Sequence, residues 1–302
     1  MQQNQDLIRT EDVAEAVAGR RRPIEVCGVS GSERALILAT VQSRHRTPML
    51  VVAATPEDGQ RLADDLRFFG QSHNVSVVFF PPYHLLPFKF LSYHNQTAAD
   101  RGRVLYRLMS DAEPPVVVTT APALLQRLIP RQELSRYAEL LQVGEEVDRE
   151  RLVAKLISGG FLRTAIVEEP GDFSVRGGIV DVFSPLYSDP LRIEFFGDRV
   201  ESLRFFGAAD QRRLTSPSEA VLLPAREAIL APGSLPEILN RIRLQAAELD
   251  VPVSQVRKIT TQLSRQEGFA GIERLLPLVY PRLDSLGAYL PPDTLVALAD
   301  PA

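Results

Sequence analysis

The run Phe173-Ser174-Val175-Arg176-Gly177-Gly178-Ile179-Val180-Asp181-Val182-Phe183, followed by Leu191-Arg192-Ile193-Glu194-Phe195-Phe196-Gly197-Asp198, sets the character of the middle of the chain. Successive side chains of a strand point to opposite faces. In the first segment an Arg-Gly-Gly triplet separates two apolar-rich runs, the pattern of two strands joined at a turn or bulge. In the second, Arg192 and Glu194 fall on one face and Ile193 and Phe195 on the other. The pair predicts neighbouring strands of a half-exposed antiparallel sheet. Phe195 and Phe196 occupy opposite faces, so one of them points inward. A sheet face bearing two arginines, a carboxylate and an aromatic reads as a docking surface more than as a solvated one.

Before this region the pattern is different. Continuous apolar runs at Pro23–Val29, Met49–Ala54, Val75–Phe80 and Val116–Thr120 predict strands. Helical segments separate or follow them at Gly31–Arg44, Pro56–Gly70, Ala98–Met109 and Ala121–Leu128. Pro56 and Gly70 bracket one helix as start and stop signals. Strands that are apolar throughout and alternate with helices predict a parallel sheet covered on both faces.

From about Tyr137 the strands become short, closely spaced and alternating, with one clear helix at Glu150–Ser158 ended by Gly159-Gly160. After Pro224 the chain turns helical again. Leu235–Glu248 and Ser254–Arg265 are amphipathic, Leu283–Leu290 is a weaker helix because of Gly287, and Thr294–Leu298 is a final strand. The predicted organisation is an N-terminal tail and helix (1–22), a parallel-sheet lobe (23–136), an inserted α+β antiparallel-sheet domain (137–223) and a helical segment (224–302) that completes the first lobe.

Composition bounds the function. The 302 residues are 45% hydrophobic and 24% charged, with a net charge of -4, and the isoelectric point is about 5.7. A domain that grips nucleic acid on its own usually carries a basic excess, and this chain carries none. One cysteine, Cys27, excludes a disulfide framework and a multi-cysteine metal site. Cys27 sits in the first predicted strand and is expected to be a buried small hydrophobe. Residues 1–10 are polar rather than a signal peptide, no apolar run approaches transmembrane length, and a cytoplasmic protein with no membrane partner is expected. His84 and His94 have no carboxylate at ligand spacing, so no metal is expected.

Gly28-Val29-Ser30-Gly31-Ser32-Glu33-Arg34-Ala35 lies between a predicted strand and a helix, where a phosphate-binding loop belongs. The working pattern is G-x-x-x-x-G-K-[ST]. Gly28, Gly31 and Ser32 keep its shape, but Glu33 stands at the second glycine, Arg34 at the lysine and Ala35 at the hydroxyl. Glu33 adds bulk and negative charge where phosphate must approach. Ala35 offers no oxygen to Mg2+. Arg34 keeps charge with different geometry. The loop is expected to be inactive, with neither a cofactor nor a catalytic residue in this chain.

These segments together resemble the UvrB-homology module of the transcription-repair coupling factor family, which UvrB itself shares. Its pattern is F-x-V-R-G-G-I-(I/V)-D-(I/V)-F, then R-(I/L)-(E/D)-F-F-(G/D)-D. The resemblance extends along nearly the whole chain. It implies a degenerate nucleotide-binding lobe with an inserted domain that binds the repair protein UvrA. By the same resemblance Arg176 and Arg192 match the family's UvrA-contacting arginines and Phe196 its contacting phenylalanine; Glu201 and Arg204, close by in sequence, are expected to extend the patch. Asp181 is expected to pair locally with an arginine. Arg199 departs from the pattern, which has a glutamate there.

The resemblance further implies a longer protein, an ATP-dependent DNA translocase with helicase-type hydrolase motifs that binds DNA and RNA polymerase through other parts. ATP and Mg2+ would serve that motor. The site at a stalled polymerase would then pass to nucleotide excision repair of the damaged DNA. The long damage-probing hairpin of UvrB is replaced by a short aromatic loop, Phe80-Pro81-Pro82-Tyr83-His84-Leu85-Leu86-Pro87-Phe88, whose aromatics, with Phe90 and Tyr93, are expected to pack or anchor the loop. The strand that reaches Asp300 is followed by Pro301 instead of the glutamate of an active ATPase. Two other readings stand beside this one. An active UvrB-like ATPase and damage binder requires Gly-Lys-Thr at 33–35. A structural α/β scaffold without UvrA binding requires the paired arginines to be incidental.

Overall fold

The structure is a computed structural model and describes residues 9–19, 23–83, 95–265 and 271–299. The chain divides into two compact units, the first drawn from residues 1–82, 107–126 and 289–302, the second from 83–106 and 127–288. The division separates a parallel-sheet part from an antiparallel one, the mixed α/β class the periodicity predicts.

The first unit is built on β1 (Met49–Ala53), β2 (Val77–Phe79), β3 (Val116–Thr120) and, from the end of the chain, β11 (Leu295–Leu298). They form an all-parallel sheet in the order β11-β1-β3-β2. Every residue of β1 and β3 is buried, as strands with both faces covered must be. Helices α1 (Thr10–Ala18), α2 (Glu33–His45) and α3 (Pro56–Gly70) supply Val13, Ala14, Ala35, Ala39, Val41, Leu62 and Leu66 to the core. The start of α3 follows its sequence signals: Thr55 Oγ1 accepts from the Asp58 amide at 3.1 Å, and Pro56 opens the first turn.

The predicted strand Pro23–Val29 is absent. Among the described residues the segment has no ladder partner, and Cys27 is exposed rather than buried. Pro23 lacks an amide donor, and Gly28 takes a left-handed backbone with φ 77° that ends the extended run early. Only Val26 packs toward the core. Helix α5 (Ala121–Leu125) also stops three residues sooner than its pattern predicts, because Gln126 is extended. The weak helix expected at Leu283–Leu290 shrinks to one turn, Leu286–Tyr289.

Part of α4 (Asn95–Ser110), together with α6 (Arg131–Tyr137) and α7 (Arg149–Ser158), belongs to the second unit. Its two-stranded sheet pairs β4 (Glu139–Gln142) with β10 (Glu219–Leu222). Its larger sheet runs β5 (Leu162–Arg163), β6 (Asp172–Arg176), β7 (Ile179–Val182), β8 (Leu191–Phe196) and β9 (Arg199–Phe205) in that spatial order. All its pairings are antiparallel except β5 with β6. The inward face presents Phe173, Val180, Val182, Leu191, Ile193, Phe195 and Leu203, which pack with Leu152 and Leu156 of α7 and Leu141 of β4. That burial turns one face of the sheet inward and the other outward.

The segment after Pro224 does not act as one piece. Its last strand, β11, completes the parallel sheet, whereas α8 (Leu235–Glu248) and α9 (Val253–Ser264) lie in the second unit. A cluster of buried charge ties this unit together. Arg101 Nε donates to Glu227 at 2.7 Å, the Ile129 amide donates to the other oxygen of Glu227 at 3.3 Å, and Arg226 pairs with Glu273 at 3.4 Å. The Tyr280 hydroxyl donates to the Glu227 carbonyl and accepts from the Ile229 amide. Among the described residues no helix is long and apolar enough to cross a membrane.

Candidate functional site

The outward face of the five-stranded sheet carries a row of ionic side chains fixed by the strand register. Ser174 lies opposite Asp181, Asp181 opposite Arg192, and Arg192 opposite Arg204. One step along, Arg176 lies opposite Ile179, Ile179 opposite Glu194, and Glu194 opposite Ser202. Cross-strand neighbours on one face are close enough to interact directly.

Asp181 is the centre of the row. Its carboxylate is 2% exposed. Arg192 grips it with two bonds, Nε to Oδ1 at 2.7 Å and Nη2 to Oδ2 at 2.9 Å, the bidentate geometry of strong arginine–carboxylate pairs. Arg176 Nη2 also donates to Oδ2. The carboxylate raises the Arg192 pKa above the ordinary arginine value, against the opposing effect of burial. The Arg192 guanidinium lies 4.8 Å from the centre of the Phe206 ring, a cation–π placement. Arg176 remains 54% exposed and Arg192 25%, so both keep a solvent-facing side.

The turn beside Arg176 depends on its glycines. Gly177 has φ 58°, a conformation costly for other residues. A Cβ on Gly178 would sit 2.8 Å from the Phe195 carbonyl oxygen. Arg149 Nη1 donates to the Gly177 carbonyl at 2.6 Å and pins the turn from α7.

Phe196 ends β8 on the same side as Arg192 and Glu194, and it is 79% exposed. Phe195 is buried in the core, so the inward-pointing member of the pair is Phe195. Arg204 joins the row, paired with Glu194, whose other oxygen accepts from Ser202 Oγ at 2.7 Å. Glu201 does not join it: the register shifts between Glu194 and Phe195, and Glu201 falls in the resulting bulge, exposed. Arg149, Ser202 and Phe206 have no local sequence signal for a site role. Their contacts come from α7 and from β9 and its end, which only the register brings near Arg176, Glu194 and Arg192.

At the Gly28–Ala35 loop, Gly31 also has a positive φ, 51°, and α2 begins at Glu33. The Glu33 carboxylate accepts from the Ser30 amide at 3.1 Å. Arg34 donates to the Gly31 carbonyl at 3.3 Å and pairs with Asp58 at 3.1 Å. Ala35 is buried. His84, Phe88, Phe90, Tyr93 and His94 of the aromatic loop, and Asp300 and Pro301, lie outside the described residues. Tyr83 is buried, with the Arg101 guanidinium 4.2 Å from its ring centre.

Residues 140–227, which contain every member of the ionic row, match the family described as the UvrB interaction domain. Over 269 residues, 88% of its length, the chain is 34% identical to the transcription-repair-coupling factor of Myxococcus xanthus. The chain is a relative of the transcription-repair-coupling factors. That of Mycobacterium tuberculosis is 32% identical over 93% of this chain, and that of Escherichia coli 28% identical over 89%. The chain spans under a quarter of the length of these coupling factors, 22% of the first and 23% of the other two.

Proposed function

We propose that the outward face of β6–β9 is a docking site for UvrA, and that the chain is a recruitment module which performs no catalysis itself. The observation that carries this reading is the convergence of Arg176 and Arg192 on one buried carboxylate beside an exposed phenylalanine. Exposed aromatics and arginines are the side chains that interface hot spots favour. This one lies within the stretch that matches the UvrB interaction domain. The module would act in the cytoplasm within a longer protein. There a motor outside this chain would use ATP and Mg2+ and would contact DNA and RNA polymerase at a stalled transcription site, and UvrA would bring nucleotide excision repair to it.

The rival reading as an ATPase asks the Gly28–Ala35 loop to bind phosphate. Its Ser30 amide is already taken by Glu33, and its one cation is paired with Asp58. The docking reading is tested by titrating cognate UvrA with the chain. Arg176→Ala and Phe196→Ala are each expected to weaken binding by about 2–4 kcal/mol with little change in melting temperature. Arg192→Ala is expected to weaken it as much and to lower stability too, because it strips two bonds from a buried carboxylate. Arg265→Ala is the control. Binding by the Arg176 and Phe196 variants equal to that of the parent would remove the proposed surface.

A further inference from the structure

We infer that Asp181 is the positioning residue of this surface, presetting Arg176 and Arg192 as one rigid cationic fork that receives a carboxylate of the partner; the inference rests on the docking reading above. Asp181 itself is closed to any partner, since its side chain is 2% exposed. Its effect must pass through the two arginines it holds.

The hydrogen bonds define what remains on offer. Arg176 commits only Nη2 to Asp181, and Arg192 commits Nε and Nη2. Within the described residues this leaves Nη1 of both guanidiniums for an incoming acceptor. Two arginines around one aspartate keep a net charge of +1, so the fork suits a single carboxylate better than a dianion. Burial, the Phe206 ring against Arg192, and the Arg149 bond to the Gly177 carbonyl together limit the movement of both arms. Fixing two long side chains before association removes an ordering cost that binding would otherwise bear.

Positioning and simple electrostatics predict opposite signs. Asp181→Asn keeps the shape of the side chain and removes its charge. If Asp181 only diluted the positive field, the fork would become more cationic and an acidic partner would bind more tightly. If Asp181 positions the arms, their loss of order weakens binding. We expect Asp181→Asn to weaken UvrA binding by about ten-fold or more. On an Arg192→Ala background the same change should add less than about two-fold, because residues that act through one network are not additive. A purely structural role would give additive losses that track the melting temperature.

The test is a calorimetric cycle of the parent, Asp181→Asn, Arg192→Ala and the double variant against UvrA, with melting curves. It is joined by nitrogen-15 spectra of the arginine Nε groups in the parent chain. The Arg192 Nε–H should exchange slowly and be as ordered as the backbone. A mobile, fast-exchanging Arg192 signal would overturn the inference without recourse to any variant. Loss of binding in Arg192→Ala with Asp181→Asn equal to or tighter than the parent would overturn it alone and leave the docking reading in place. Parent-like binding by the Arg176, Arg192 and Phe196 alanine variants would overturn both.

Discussion

Glu33 stands where a phosphate loop needs a residue without a side chain, and its carboxylate bonds back to the Ser30 amide at 3.1 Å. A loop that binds phosphate offers such amides to the ligand; here an internal anion holds one of them. Arg34 is turned away in the same manner, with Asp58 as its partner, and Ala35 has no oxygen for a metal. On the recruitment reading, three adjacent residues would each withhold a separate contribution to nucleotide binding. Calorimetry of the chain with ATP and Mg2+ is expected to show no magnesium-dependent binding in the micromolar range. Glu33→Gly alone is expected not to restore it, since Arg34 and Ala35 still lack the lysine and hydroxyl contributions. Tight, magnesium-dependent heat from either protein would return the ATPase reading to first place.

The β6–β7 hairpin shows how an element turns local sequence into a site. Arg176 and Asp181 are five residues apart, and the Gly177-Gly178 turn folds them onto one sheet face. A methyl group on Gly178 would meet the Phe195 carbonyl oxygen at 2.8 Å, a backbone atom that cannot swing aside. Gly178→Ala is expected to destabilise the second unit by about 1–3 kcal/mol and to weaken UvrA binding beyond that of Arg176→Ala, because it displaces β8 as well as the turn. Chemical denaturation and the same titration check this, and a variant with parent-like stability would show that the hairpin tolerates a different path. Much of this element was legible beforehand. Period-two alternation placed Arg192 and Glu194 on one face and Ile193 and Phe195 on the other, and the structure shows that the second face is the buried one. What the alternation could not show is register. It is the pairing of Asp181 with Arg192 across β7 and β8 that makes one carboxylate serve two arginines, and the bulge in β9 that takes Glu201 out of the row. The Pro23–Val29 segment failed for the opposite reason: its apolar content was real, but hydrophobicity alone does not supply a ladder partner.

At the scale of the whole chain, the second unit is held by buried charge as well as by its apolar core, and this makes its stability depend on pH in a definite sense. Glu273 is buried beside Arg226, with Glu227 and Arg101 also acting on it. Burial raises its pKa above the ordinary value of 4.5, and the Arg226 guanidinium offsets this only in part. Between the ordinary and the raised value the folded state binds more protons than the unfolded state. Stability from this group is therefore fully present below pH 4.5 and declines as pH rises through the folded value. Glu273→Gln cannot titrate at this position, so the stability difference between the parent and this variant should fall across that window and then level off. Other carboxylates cancel in the comparison, which is why the difference is the quantity to measure, by urea denaturation at a series of pH values. Arg101→Met provides the complementary test. It leaves the Glu227 carboxylate buried with only the Ile129 amide among the contacts described above, and is expected to cost about 3–5 kcal/mol at neutral pH. If the stability of the parent relative to Glu273→Gln rises with pH instead, then Arg226, rather than burial, dominates the energetics of Glu273.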